Sequence, residues 1–145
     1  MNDEKLLLEN QLCHRIYMLN NAMTRAYRPL LKSLDITYPQ YVVLMALWEK
    51  DDLEINTLQQ ITHIDGGALT LILKKLVNKQ MIQLQPSQQD KRIKHVLLTQ
   101  EGITLKETAS ELPEKIRCSV PSITEDEAIQ LKIILDKMNR DLLNN

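Results

Sequence analysis

Phenylalanine is absent from this 145-residue chain, and four tyrosines and one tryptophan are its only aromatic residues. Leucine, isoleucine, valine and methionine must therefore fill the core, for which a 43% apolar composition is ample. Cysteine occurs twice, at Cys13 and Cys118. No stretch approaches the roughly 18 uninterrupted apolar residues of a membrane span, so no membrane partner is expected. The opening Met1-Asn2-Asp3-Glu4-Lys5 is acidic and no signal-peptide core follows it, so a cytoplasmic protein with reduced thiols is expected. His14, His63 and His95 are dispersed and neither cysteine has ligand spacing to them. No metal and no cofactor is therefore expected. Low-complexity segments and internal repeats are also missing. A formal net charge of −1 argues against a generic polyanion binder.

What is present is concentrated between Asp65 and Thr99. Asp65-Gly66-Gly67 reads as a helix start, with the aspartate capping free N–H groups and the glycines allowing a close turn. Leu69, Ile72, Leu73 and Leu76 recur at i, i+3, i+4, i+7, which marks a helix with one buried face. The opposite face carries Gly67, Ala68, Thr70, Leu71, Lys74 and Lys75, small at first and basic further on. After Gln80 the period becomes two: Ile82, Leu84, Pro86, and returning, Val96 and Leu98. Between these runs lies Ser87-Gln88-Gln89-Asp90-Lys91-Arg92, a polar turn with a basic end that continues to Lys94. Helix plus basic-tipped hairpin is a winged helix-turn-helix reading unit, expected over 53–99. Residues 66–100 hold six basic and one acidic side chain, whereas 49–65 hold one and five. The bland alternative is that Lys74, Lys75 and Lys79 form a solvated helix face. With the wing added, the local charge is the footprint of a protein docking on the phosphates of double-stranded DNA.

The remaining chain reads as helices around this unit. Residues 4 to about 28 form a long helix with Leu8, Leu12, Ile16, Leu19 and Met23 on one stripe, ended or bent by Pro29. Thr37 caps a second helix with Pro39 in its first turn, and Tyr41 to Trp48 is apolar enough to be buried on most sides. Lys50-Asp51-Asp52 is a surface loop. Asn56 or Thr57 opens a short scaffold helix through Ile61, so that 57–76 reads helix, tight turn, helix. Gln100-Glu101-Gly102 leads into a helix from Ile103 to about Glu111. Pro113 interrupts it and a short segment carries Cys118. Thr124-Glu125-Asp126-Glu127 fits a reciprocal capping box opening a last helix striped by Ala128, Leu131, Leu135, Met138 and Leu142. One small domain cannot cover both terminal stripes, so 1–35 and 103–145 are expected to build a homodimer. Two-fold symmetry would place the recognition helices about one DNA turn, roughly 34–36 Å, apart. The expected fold is mainly α with a small β-wing, a single domain over 1–145.

Cys13 lies beside the apolar stripe of the first helix, with Tyr17 one turn on. Such a cysteine is most simply a small buried hydrophobe. Tyr27 and Tyr38 are available as hydroxyl donors, His14 is adjacent, and a second thiol lies at Cys118. Phenol O–H groups donating to sulfur stabilise the thiolate that attacks peroxide, and a sulfenic acid condenses readily with another thiol.

Asn10-Gln11-Leu12-Cys13, Thr24-Arg25-Ala26-Tyr27-Arg28-Pro29-Leu30 and Ile36-Thr37-Tyr38-Pro39-Gln40-Tyr41 resemble the N-terminal region of the organic hydroperoxide resistance regulators. That group belongs to the MarR family of dimeric winged-helix repressors. Downstream, Gly67, Leu69-Thr70, Leu73-Lys74-Lys75 and Asp90-Lys91-Arg92 before Leu98-Thr99 are similar to the same family's recognition helix and wing. The resemblance implies that Cys13 senses peroxide, with an organic hydroperoxide or another oxidant as signal. It implies that Tyr27 and Tyr38 of the partner subunit hydrogen-bond its sulfur, with Tyr17 nearby. Cys118 falls where the two-cysteine type carries its resolving thiol, which implies an intersubunit disulfide from Cys13. Arg92 is implied to enter the minor groove, oriented by Asp90.

Three departures matter. His14 stands where the family usually has phenylalanine, which makes the pocket more polar. Gly66, Ala68 and Leu71 replace hydroxyl or proline side chains, leaving fewer donors for base edges, although Ala68 and Leu71 suit thymine methyls. Gln80 stands at a helix end where glycine is common. The rival readings are a MarR repressor that binds an anionic aromatic and whose thiols are incidental, a two-cysteine thiol peroxidase, and a winged helix used only for protein contacts. The peroxidase lacks the strand–helix alternation of a thioredoxin-like fold and any Cys-x-x-Cys, so a regulator rather than an enzyme is expected.

Overall fold

The computed structural model describes residues 3–143 and divides into two compact units after Leu112. In the first unit two 3₁₀ turns, Asp3–Leu6 and Leu8–Asn10, precede α1, Leu12–Lys32. The long helix therefore starts eight residues later than the apolar stripe suggests. Side-chain amides explain the delay: Asn10 Nδ2 donates to the Glu4 carbonyl at 2.7 Å and Gln11 Nε2 to the Lys5 carbonyl at 2.7 Å. Such side-chain bonds offer the backbone an alternative to helical pairing. Pro29 does not end α1, which runs on to Lys32. It lies in the last turn, where its missing N–H removes a single bond.

Helix α2, Tyr38–Glu49, is the centre of the core, with Tyr41, Val43, Leu44, Ala46 and Leu47 buried. Its expected cap is a full reciprocal box: Gln40 N donates to Thr37 Oγ1 at 3.5 Å and Thr37 N donates to Gln40 Oε1 at 3.0 Å. That pairing satisfies Gln40, the buried polar side chain among the described residues. Strand β1, Leu53–Glu54, leads into α3, Ile55–Thr62, and α4, Gly66–Asn78. Strands β2, Ile82–Pro86, and β3, Lys94–Leu98, pair antiparallel with Ile82 opposite Leu98 and Pro86 opposite Lys94. β1 adds to the other edge of β3, Leu53 opposite Val96, giving sheet order β1-β3-β2. A strand of two residues is too short to show an alternating period, and β1 is invisible in the sequence for that reason.

Helix α5, Gln100–Ala109, begins at Gln100 under a Thr99 cap, so Gly102 lies inside it rather than before it. A Cβ on Gly102 would stand 2.1 Å from the Met81 carbonyl oxygen. The Gly102 carbonyl accepts from Trp48 Nε1 at 2.8 Å, and Lys106 Nζ donates to the Trp48 carbonyl at 2.9 Å, which locks α5 to α2.

Helix α6, Leu112–Arg117, straddles the division between the units. In the second unit, α7, Glu125–Leu143, opens with the expected capping box: Thr124 N donates to Glu127 Oε2 at 2.9 Å and Glu127 N to Thr124 Oγ1 at 3.3 Å. None of its described residues is buried, and Leu131, Ile134 and Leu142 stand exposed.

Candidate functional site

Helix α4 starts where Asp65 predicts it, with Asp65 Oδ2 accepting from Gly67 N at 3.2 Å. The glycines are not what makes the turn. Neither has positive φ, and a Cβ on Gly66 would meet only the Gln59 side chain at an ordinary 3.5 Å. His63 makes the turn instead, in the left-handed region at φ 53°. Leu69, Leu73 and Leu76 are buried and Ile72 is half-buried, as the period requires. Gly67, Ala68, Thr70, Leu71, Lys74 and Lys75 are all exposed on the other side.

The lysine trio splits. Lys74 and Lys75 stand out from α4, whereas Lys79 folds back onto the α1–α2 turn. Its Nζ donates to the Asp35 carbonyl and lies 3.4 Å from Asp35 Oδ1. The sequence carries no periodic signal for that pair, which spans 44 positions. Gln80 has φ 60° and so occupies the left-handed position that glycine suits best.

The wing tip is closed by backbone bonds from Ser87 N to Ile93 O (2.7 Å) and from Ile93 N to Asp90 O (3.0 Å). Asp90 Oδ1 accepts from the Arg92 amide at 3.0 Å and from Arg92 Nε at 3.2 Å. The Arg92 backbone N–H, and then its guanidinium, hold the Asp90 carboxyl below its usual value. The guanidinium side chain is nonetheless 92% exposed, so Asp90 aims it without covering it. Lys91 and Lys94 are also exposed. One pair in from the wing tip, His95 Nδ1 meets Asp52 Oδ1 at 2.7 Å, a contact to the loop before β1 that sequence reading missed.

Cys13 is the second residue of α1, and it is an exposed free thiol rather than a buried hydrophobe. Tyr17 follows one turn later and is exposed. Tyr27 and Tyr38 pack at 5.0 Å between ring centroids, with Tyr41 at 5.9 Å from Tyr27. Burial, and then the neighbouring phenols Tyr41 and Tyr38, push the Tyr27 hydroxyl upward, and burial with Tyr38 does the same to Tyr41. Tyr27 lies fourteen residues beyond Cys13 in one continuous helix, about 21 Å along its axis at 1.5 Å per residue. The Tyr27–Tyr38 pair and Cys13 of one chain are therefore apart, and only Tyr17 neighbours that sulfur along the helix. In the second unit Cys118 is also a free exposed thiol, donating to Glu114 Oε1 at 3.7 Å.

Next to Tyr38 a cleft of about 440 Å³ is lined by Thr24, Arg28, Lys32, Thr37 and Lys79 among others. Arg28 and Lys32 stand on its wall with Lys79, which is paired there with Asp35, so the cleft carries a net positive lining. No cluster of three or more ligand side chains suited to a metal ion occurs among the described residues, and none of their helices is long and apolar enough to cross a membrane.

A family model described as "Transcriptional regulator SarA/Rot" matches residues 25–109. The organic hydroperoxide resistance transcriptional regulator of Bacillus subtilis (strain 168) is 39% identical over 113 residues, 78% of this chain and 77% of that protein. Among solved structures, reduced AbfR bound to DNA is similar with a TM-score of 0.82 at 27% identity, covering 99% of this chain and 98% of that one. The reduced form of MarR from E. coli gives 0.73 at 30% identity, covering 88% and 96%. The family model and the Bacillus subtilis protein are both described as transcriptional regulators, and the AbfR structure holds DNA. With a helix-turn-helix, an antiparallel wing and this identity over most of its length, the chain belongs to the MarR family of winged-helix DNA-binding transcriptional regulators, in the organic hydroperoxide resistance group.

Proposed function

We propose that the protein is a redox-sensing repressor that binds an inverted-repeat operator as a reduced homodimer and leaves it when peroxide oxidises Cys13. The observation that carries the reading is an accessible thiol in the first turn of α1, about 21 Å along the helix from the phenols that would activate it. In this reading Tyr27 and Tyr38 come from a second copy, as the resemblance to the organic hydroperoxide resistance regulators implies, with Tyr17 contributed in cis. The 1–35 and 103–145 helices form the dimer, which covers the exposed apolar stripes of α1 and α7.

The Cys13 thiolate attacks the outer oxygen of the hydroperoxide, its O–O bond breaks, and an alcohol leaves as sulfenic acid forms. The Cys118 thiol of the partner subunit displaces that hydroxyl as water, giving the Cys13–Cys118 disulfide. A disulfide needs Cα atoms within about 7 Å, so the bond selects one arrangement of the terminal helices. A change of 1–3 kcal/mol in the equilibrium they control weakens operator binding about 5- to 150-fold. On the operator, 53–99 is the reading unit. Gly67, Ala68, Thr70, Leu71, Lys74 and Lys75 face the major groove, and the wing residues Asp90, Lys91, Arg92 and Lys94 face the backbone and minor groove. AbfR is bound to DNA in a reduced form and also in an overoxidized form, so the reduced state is compatible with binding and release is assigned here to the disulfide.

Non-reducing electrophoresis after hydroperoxide treatment, run beside a DNA mobility shift, tests the scheme. Wild type should cross-link and release DNA together, Cys13→Ser should bind and ignore peroxide, and Cys118→Ser should stop at an uncrosslinked oxidised state. Release of Cys13→Ser by peroxide at the wild-type dose overturns the reading.

One observation favours a second reading. The cleft with Arg28, Lys32 and the Asp35-paired Lys79 on its wall suits a small anionic aromatic, whose binding would move the α1–α2 turn to which Lys79 ties α4. Release of DNA by salicylate from the Cys13→Ser, Cys118→Ser protein would support this alternative over the thiol scheme.

A further inference from the structure

The exposed face of α4 is unusual in what lies at its centre. At 100° per residue, Leu71 stands nearly opposite the buried stripe of Leu69, Leu73 and Leu76, and it is 63% exposed. Gly67 and Ala68 share its face one turn before, and Lys74 and Lys75 flank it one turn after. A leucine here adds nothing to the core. Thr70, the hydroxyl residue in these first turns, donates its proton to the Gly66 carbonyl at 2.9 Å, and Asp65 is occupied with Gly67 N. The part of a recognition helix that reaches base edges is its N-terminal half. In this chain that half offers apolar contact and no uncommitted side-chain donor.

The major groove presents one apolar group, the C5-methyl of thymine. Resting on the DNA-binding reading above, we infer that Leu71, with Ala68 beside it, selects the operator through thymine methyl groups, while Lys74 and Lys75 hold the helix in register on the phosphates. Charge complementarity fixes the occupant: Lys74, Lys75, Lys91, Arg92 and Lys94 stand exposed on α4 and the wing against the single acidic Asp90, which suits a duplex and not an apolar protein partner. Operators should therefore carry thymines at the positions under the start of α4.

The inference predicts a dependence on single methyl groups. A duplex enriched by the reduced protein from a random double-stranded pool is amplified once with thymidine and once with deoxyuridine, which removes every C5-methyl and keeps every base pair. Wild type should bind the deoxyuridine duplex at least fourfold more weakly, about the effect of one buried methyl-sized group. Leu71→Ala should bind the thymidine duplex more weakly and lose most of that ratio, while Lys74→Ala should weaken both duplexes alike and keep it. The ratio in the leucine variant separates methyl contact from any change in duplex shape, and the exposed position leaves the fold intact, checked by an unchanged thermal melt. Equal wild-type affinity for the two duplexes overturns this inference alone, as does a ratio unchanged in Leu71→Ala. Failure to enrich any duplex overturns the DNA-binding reading and this inference with it.

Discussion

Gly102 is the residue whose identity the packing constrains most sharply. Its missing Cβ lets α5 pass over the Met81 carbonyl, and its own carbonyl takes the Trp48 indole proton. Gly102→Ala forces a backbone shift at that contact and should cost about 1–3 kcal/mol, read as a lower thermal midpoint. The other glycines are replaceable on space alone, while left-handed positions fall to Asp35, Asp52, His63 and Gln80. At the same scale, the raised Tyr27 and Tyr41 hydroxyls have a stated pH signature. Their ordinary value is 10.0, so above that pH the unfolded chain loses protons that the folded chain keeps. Their contribution is fully present below pH 10.0 and is lost as pH rises through the raised folded values. Phenolate absorbance should therefore show two tyrosines ionising late, together with falling stability. Cys13, Tyr27 and Tyr38 were all legible as residues, but the sequence did not reveal that the sulfur is exposed and the phenols half-buried.

Among the elements, helices announced by period or cap appear where expected. α4 and α7 follow their apolar repeats, and α2 and α7 both open on reciprocal boxes. The errors sit where local chemistry competes with period: side-chain amides delay α1, and Thr99 caps α5 ahead of Gly102. The α7 box has an acid limit. Thr124, through its backbone N–H and then its hydroxyl, holds Glu127 below its ordinary 4.5. The folded value is depressed, so the cap's stabilisation is present above pH 4.5 and disappears as pH falls through the lowered value. The protection of amides at the start of α7 against hydrogen exchange, taken relative to the intrinsic rate at each pH, should fall over that interval. In Thr124→Ala, whose box is already broken, that loss of protection should be absent.

For the whole molecule, the proposed signal passes between two copies of the chain. Each copy supplies one thiol to each disulfide, so the arrangement predicts complementation. Cys13→Ser and Cys118→Ser proteins, each unable to cross-link alone, should form one intersubunit disulfide when unfolded, mixed, refolded together and treated with hydroperoxide. Cross-linking of that mixture at about half the wild-type yield is expected if copies pair at random, and its absence would place the two sulfurs out of reach across the dimer.

Sequence alone determined the winged helix-turn-helix, the basic bias of 66–100 and the kinship with peroxide-responsive regulators. Helical and strand periods, caps and charge are local properties, readable within a few positions of the chain. Tertiary structure decided that Lys79 belongs to Asp35 rather than to the α4 face, that β1 completes the wing and that His95 meets Asp52. Those contacts join residues more than forty positions apart, and only the folded backbone brings them within bonding distance.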